Sequence, residues 1–175
     1  MFPSLSSLQR GGAIMFRSFK IRLYPTKEQE QLMWKHIHCC RYIWNYMIDL
    51  QENLYNKGEK HLSAFSMINR LKPLKNDGEH GWLYEVSNKS LQIVCKDLEQ
   101  SYQLFFKKKT KFPKFKSRKK SKYSFPVCSE QLYFKDKNVL NVQKIGKVKY
   151  KADFNFPFGT GYKYINARIS YINNK

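Results

Sequence analysis

The chain has 175 residues, and 33 Lys and Arg against 13 Asp and Glu leave it with a formal net charge of +20. A field that intense on so short a chain predicts strong, salt-dependent attraction to nucleic acid or another anionic surface. Hydrophobic residues at 42% and aromatics at 16% supply enough for a core, which excludes general disorder, and no apolar run approaches the roughly 18 residues of a membrane span.

Residues 1–14 differ from the rest of the chain. They are Ser-rich and weakly patterned, and they lack the positive start and apolar centre of a secretory signal. Arg10-Gly11-Gly12 reads as the translation of a purine-rich ribosome-binding sequence, so Met15 is the expected natural start and the leader is expected to be disordered or not native. Residues 16–24 alternate, with Phe19, Ile21 and Leu23 on one side, and predict a half-buried strand that Pro25 ends. Thr26 and Gln29 fit a capping box. The helix they open is expected to reach about Asn56 along a stripe of Met33, Ile37, Cys40, Trp44, Met47 and Leu54, and to close at Gly58.

A short helix is expected over 63–71, stopped by Pro73, and a turn at Asn76-Asp77-Gly78. Trp82-Leu83 should tuck beneath the neighbouring helices. Ser87 should cap a third helix with the stripe Leu91, Val94, Leu98, Tyr102 and Phe105. Beyond residue 123 the runs 132–134, 139–142, 146–150 and 164–172 have β character. Asn173-Asn174 is a typical hairpin turn that asks for a further strand, so the chain is expected to be the N-terminal part of something longer. One strand before a helical insert and several after it outline an α+β fold: a small β-barrel with a helical bundle inserted after its first strand.

The strongest functional signal is the basic stretch. Ten Lys or Arg lie between Lys107 and Lys122, and no Asp or Glu occurs from Gln100 to Ser129. Phe112, Phe115 and Tyr123 are threaded among these cations, and Pro113 stiffens the backbone. Cations that neutralise phosphates and rings that stack on bases suit a segment lying along a polyanion. The stretch has no apolar helical face, which argues against a membrane-surface role. His36, His38, Cys39 and Cys40 crowd one helix; His36 and Cys40 have an i, i+4 spacing, but no second ligand pair accompanies them, so they are read as core or surface residues. The four cysteines show no Cys-x-x-Cys spacing, and with no secretory signal they suggest a reducing, cytoplasmic setting.

The run 19–29, Phe-Lys-Ile-Arg-Leu-Tyr-Pro-Thr-Lys-Glu-Gln, resembles TnpB, the OrfB-type protein of bacterial insertion sequences and a relative of the compact type V CRISPR effectors. So do the run 40–45, Cys-Arg-Tyr-Ile-Trp-Asn, Trp82-Leu83 with Ser90-Leu91-Gln92, Phe105-Phe106, and the run 112–118, Phe-Pro-Lys-Phe-Lys-Ser-Arg. The resemblance covers about 15–175. It implies an oligonucleotide-binding-like wedge barrel from 15–25 and 124–175, a helical recognition lobe (the family's helix-turn-helix region) over 26–106, and a nucleic-acid-binding segment over 107–123. The family is an RNA-guided DNA endonuclease, so the implied partners are a guide RNA from the element's end, double-stranded DNA with a short target-adjacent motif, and intact TnpB, with no membrane.

Cleavage in the family belongs to a RuvC-like domain followed by a zinc-ribbon-like element, both beyond Lys175. Mg and Zn are therefore expected only there, and this chain, without the nuclease domain, is expected to bind and not to cut, in the bacterial cytoplasm and nucleoid. The alternative is a remnant, or an incomplete piece of the nuclease, with only non-specific affinity. By resemblance, Gln92 contacts the target-adjacent motif, with Asn88 and Lys89 at neighbouring motif-reading positions. Lys107, Lys108, Lys109, Lys111, Lys114, Phe115, Lys116, Arg118, Lys119 and Lys120 are assigned to guide-RNA or heteroduplex contact, with Lys111 standing where the family often has Gly. Arg41 and Asn45 divide evenly between scaffold and nucleic-acid contact, and Tyr24 and Trp44 are expected in the core.

Overall fold

The structure is a computed structural model and describes residues 18–119, 121–152 and 164–172. The 1–14 leader and the turn at Asn173-Asn174 lie outside the described residues. The elements in order are β1 (Arg22–Tyr24), α1 (Lys27–Asn56), α2 (Ala64–Lys75), a 3-10 turn (Gly81–Glu85), α3 (Asn88–Phe106), β2 (Ser124–Cys128), β3 (Leu132–Asp136), β4 (Val139–Val142), β5 (Gly146–Lys151) and β6 (Asn166–Ser170). The fold is a mixed one of helices and antiparallel sheets.

Helix α1 is the spine. Thr26 accepts from the Gln29 backbone N–H while the Gln29 side chain accepts from the Thr26 N–H, the reciprocal capping box expected from the sequence. The same Gln29 amide donates to the Lys147 carbonyl at 2.8 Å and so ties the helix start to β5. At the other end, Gly58 sits at φ +72° and the N–H groups of Gly58 and Glu59 return to the Tyr55 and Leu54 carbonyls. This is a Schellman closure, in which glycine takes the left-handed position at no steric cost. All six residues of the predicted stripe are buried, and so are Ile43, Ile48, His36 and Gln51. That stripe packs on α3, and both helices pack on β2.

His36 shows why the apolar face carries a polar ring. It is 1% exposed. Its Nδ1 donates to the Leu32 carbonyl at 2.8 Å, and its Nε2 accepts from the Ser87 backbone N–H at 3.1 Å. The Phe125 ring lies 4.9 Å away. Both nitrogens are therefore committed and the ring is neutral; burial pushes its pKa down. Among the described residues no group of three or more His, Cys, Asp or Glu is placed to hold a metal ion.

Helix α2 runs on through Pro73 to Lys75, four residues past its expected end at Leu71. The proline falls in the last turn, where it forfeits its own N–H bond, and continuation buries Leu74 in exchange. Leu83 is fully buried as expected, but Trp82 is 40% exposed and meets Tyr42 edge-on. Helix α3 is capped by Ser87 and buries Leu91, Val94, Leu98 and Tyr102.

The strands form two ladders among the described residues: a four-stranded sheet in the order β1-β5-β4-β3, and a pair β2-β6. The whole helical segment thus lies between β1 and its partner β5, with Leu23 opposite Tyr150. Val148 and Tyr150 point inward while Lys147, Lys149 and Lys151 point out, the period-2 pattern of a half-buried strand. The expected first strand is shorter than its alternation suggested, because only Arg22–Tyr24 finds a ladder, and Tyr24 is exposed, not core. Strand β2 was not expected. Phe125, Pro126 and Val127 are buried in succession, so it has no alternation, and its proline reads as a breaker. No helix among the described residues is long and apolar enough to cross a membrane.

A histidine whose folded pKa lies below its unfolded value keeps its stabilising neutral form at high pH and loses ground as pH falls through the unfolded pKa near ~6.5. Unfolding free energy should therefore drop between pH 7 and 5, with His36 contributing a slope of up to about 1.4 kcal/mol per pH unit. In His36→Gln the slope measured by urea titration should be shallower by that share; an unchanged slope would place the titration elsewhere.

Candidate nucleic-acid interface

The basic segment is seated on α1, and the seating begins where α3 ends. Lys108 adopts φ +56°, and the N–H groups of Lys108 and Lys109 return to the Phe105 and Leu104 carbonyls. This is again a Schellman closure, here with lysine at the position that favours glycine. The turn leaves Lys107, Lys108, Lys109 and Lys111 exposed around the helix end. Phe112 then packs edge-on against Tyr102 and Phe105, with centroids 5.5 and 5.2 Å away, and Pro113 is buried.

The next residues are clamped from α1. Trp44 Nε1 donates to the Lys114 carbonyl at 3.0 Å. Asn45 bonds Lys116 twice, its Nδ2 donating to the carbonyl at 3.0 Å and its Oδ1 accepting from the N–H at 2.7 Å. One side-chain amide thus imitates a strand neighbour and pins a backbone that pairs with no strand among the described residues. Lys114, Phe115, Arg118 and Lys119 face outward, with Phe115 52% exposed. Lys120 lies outside the described residues.

Lys116 departs from its neighbours. Its Nζ sits 3.5 Å from the centre of the Trp44 ring. Burial and then the nearby Arg168 push its pKa down to about 8, while the indole face favours the cation and works the other way. Trp44 itself is 8% exposed, so it is core as expected and serves as the floor under this lysine.

The α3 start forms a second group. The Asn88 Oδ1 accepts from Lys75 Nζ at 2.7 Å. That amine also lies 5.0 Å over the Tyr84 ring, and burial lowers its pKa. Lys89 is exposed and pairs with Glu130 at 3.7 Å. Gln92 is half-buried one turn on, and Arg41 of α1 is half-buried with its Nη1 lacking a hydrogen-bond partner among the described residues. The two groups stay apart: α3 has 19 residues, which separates Asn88 from Lys107 by about 28 Å. Sequence reasoning missed Lys75 and Tyr84 beside Asn88 because their partners come from different elements; the adjacent Trp44-Asn45 pair was the one local sign of the clamp.

The geometry can be set against known proteins. A helix-turn-helix domain model of the OrfB IS605 type matches residues 15–60. Among described residues that stretch holds β1 and the single long helix α1; α2 begins only at Ala64. The chain is 34% identical over 102 residues, 58% of its length, to InsQ of Escherichia coli strain K12, whose name marks it as a candidate RNA-guided DNA endonuclease. It is 32% identical over 108 residues, 62% of its length, to a similarly named protein of Streptomyces pristinaespiralis. The chain spans about a quarter of the length of these relatives, 25% and 27%.

The matched stretch includes Trp44 and Asn45, the α1 side of the clamp. Removing the Asn45 amide exposes a backbone pair that water then solvates, at a cost of about 1 kcal/mol. Asn45→Ala should lower stability by that amount and speed hydrogen exchange at the Lys116 amide; unchanged exchange there would mean that the segment holds itself. Residues 15–60 thus match the helix-turn-helix domain model of the OrfB IS605 type, and part of the chain is similar to proteins named as RNA-guided DNA endonucleases.

Proposed function

We propose that this chain is a nucleic-acid-binding part of an RNA-guided DNA endonuclease of the TnpB type. It holds guide RNA along 107–119 and approaches target-adjacent DNA through Asn88, Lys89 and Gln92 at the start of α3. The observation that carries this reading is the seating of the basic segment. Its backbone is fixed to α1 while Lys107, Lys108, Lys109, Lys111, Lys114, Arg118 and Lys119 remain exposed. A fixed row of cations suits a phosphate backbone, because the ordering entropy is settled before the ligand arrives.

In this reading the two ladders belong to a wedge barrel, the residues bind without cutting, and the chain works in the bacterial cytoplasm and nucleoid. Any Mg- or Zn-dependent step lies with other parts of such a nuclease. Half-buried Gln92 presents an amide of the kind that reads adenine edges.

Binding of the chain to RNA transcribed from the flank of its own gene, and to unrelated RNA of equal length, should be measured across a salt series. A preference for the cognate RNA that survives physiological salt is expected. The variant Lys109→Gln, Lys111→Gln, Lys114→Gln, Lys119→Gln should bind more weakly, with a salt slope reduced by about one for each phosphate no longer neutralised. Lys116 is left intact because its amine packs on Trp44. An unchanged slope would remove the segment from the interface, and equal binding to both RNAs would favour the remnant reading.

A further inference from the structure

At the far end of the basic segment lies a cleft of which the proposed function uses only Arg118. Trp34 and His38 stand one turn apart on the outer side of α1, with ring centres 5.7 Å apart. Tyr123, just ahead of β2, meets Trp34 edge-on at 5.1 Å, and Tyr171, just after β6, lies against it at 4.9 Å. Trp34, His38, Arg118 and Tyr123 line a cleft of about 310 Å³, a volume within the range of small-ligand sites. The Tyr123 hydroxyl donates to the Arg118 carbonyl at 2.6 Å, which holds the cation-bearing loop beside the ring.

The lining is unusual for packing alone. Trp44, ten residues on, is buried with its N–H bonded; Trp34 is only half-buried, and its indole N–H has no hydrogen-bond partner among the described residues. Among the described residues the lining contains no carboxylate, and the stretch 100–129 has none. His38 is held toward its neutral form by burial and then by the positive Arg41 and Arg118, which leaves a flat ring able to stack. Flat apolar walls with a single guanidinium at the rim match a planar heterocycle joined to an anion.

We infer that this cleft takes one unpaired nucleobase, stacked on Trp34 with the Tyr123 ring at its edge and its flanking phosphate on Arg118. The inference rests on the nucleic-acid reading above and adds a base-selective subsite to it. A paired base keeps its faces covered by its neighbours, so the ligand is a single strand or a displaced base.

The test uses the 175-residue chain at physiological salt. Oligothymidylate and an abasic strand of equal length carry the same backbone charge and differ only in bases. The chain should bind oligothymidylate about tenfold more tightly, a size typical of one stacked base, and Trp34→Leu should bring that affinity down to the abasic level. Equal binding of both strands by the unaltered chain would overturn the subsite while leaving backbone binding intact; binding of neither would overturn both readings. Persistence of the preference in Trp34→Leu would also overturn the subsite. Photocrosslinking with a 5-iodouracil-bearing strand decides the matter if that variant fails to fold. Adducts on Trp34 or Tyr123 support the subsite, and adducts only elsewhere refute it. Oligouridylate run alongside shows whether RNA or DNA is the better occupant.

Discussion

The structure depends on one constraint: irregular backbone packed against α1 must have its polar groups satisfied, and α1 supplies the partners from its own buried or half-buried face. His36 takes the Ser87 N–H at the start of α3. Gln51, 4% exposed, bonds both the N–H and the carbonyl of Leu62 ahead of α2. Trp44 and Asn45 take the backbone of Lys114 and Lys116 after α3. Three connections, at 62, 87 and 114–116, are registered against one helix by side-chain bonds spaced along it. An orphaned buried N–H or carbonyl costs about 1–3 kcal/mol, so each peg selects where its segment lies as well as holding it there.

Charge imposes the opposite pressure. At +20 the chain repels itself, and its described ion pairs are few and mostly exposed: Arg168 with Asp97, Lys35 with Glu85, Lys89 with Glu130. Such pairs contribute little each. Two lysines are handled differently. Lys75 and Lys116 are drawn against the rings of Tyr84 and Trp44, where burial lowers their pKa and the ring face partly offsets the loss of water. The remaining cations of 107–119 stand in solvent, and a polyanion bound there would relieve the repulsion and stabilise the fold by mass action.

The helical half was legible because its signals are local. Capping box, Ser caps, glycine closure and 3.6-residue stripes all lie within a few residues of the features they determine, and the core of α1 and α3 followed from them. The strand half was legible in part. The runs 132–134, 139–142, 146–150 and 164–172 alternate and were read, whereas β2 buries three residues in a row and could not show a period. The site divides the same way. The basic run is visible in composition, but the turning-in of Lys116 depends on Trp44 and on Asn45, the latter 71 residues away along the chain. The gathering of Trp34, His38, Arg118, Tyr123 and Tyr171 depends on α1, the basic segment and the end of β6 meeting, which no local pattern announces.

Helix α3 then sets the scale of any shared ligand. Its first two turns carry Asn88, Lys89 and Gln92, and its last residues lead into the lysine cluster, so the helix start and the cluster are held about 28 Å apart by a rigid rod. A mononucleotide or a short loop cannot reach both. A nucleic acid that did would have to extend over roughly eight steps at about 3.4 Å per step along one strand. Because the helix is packed along its length by α1, α2 and β2, that spacing does not adjust to the ligand. If both ends take part as proposed, the arrangement favours a ligand that is long and stiff, such as a duplex or heteroduplex, while the proposed subsite beside Arg118 would take only a strand that has left its stack.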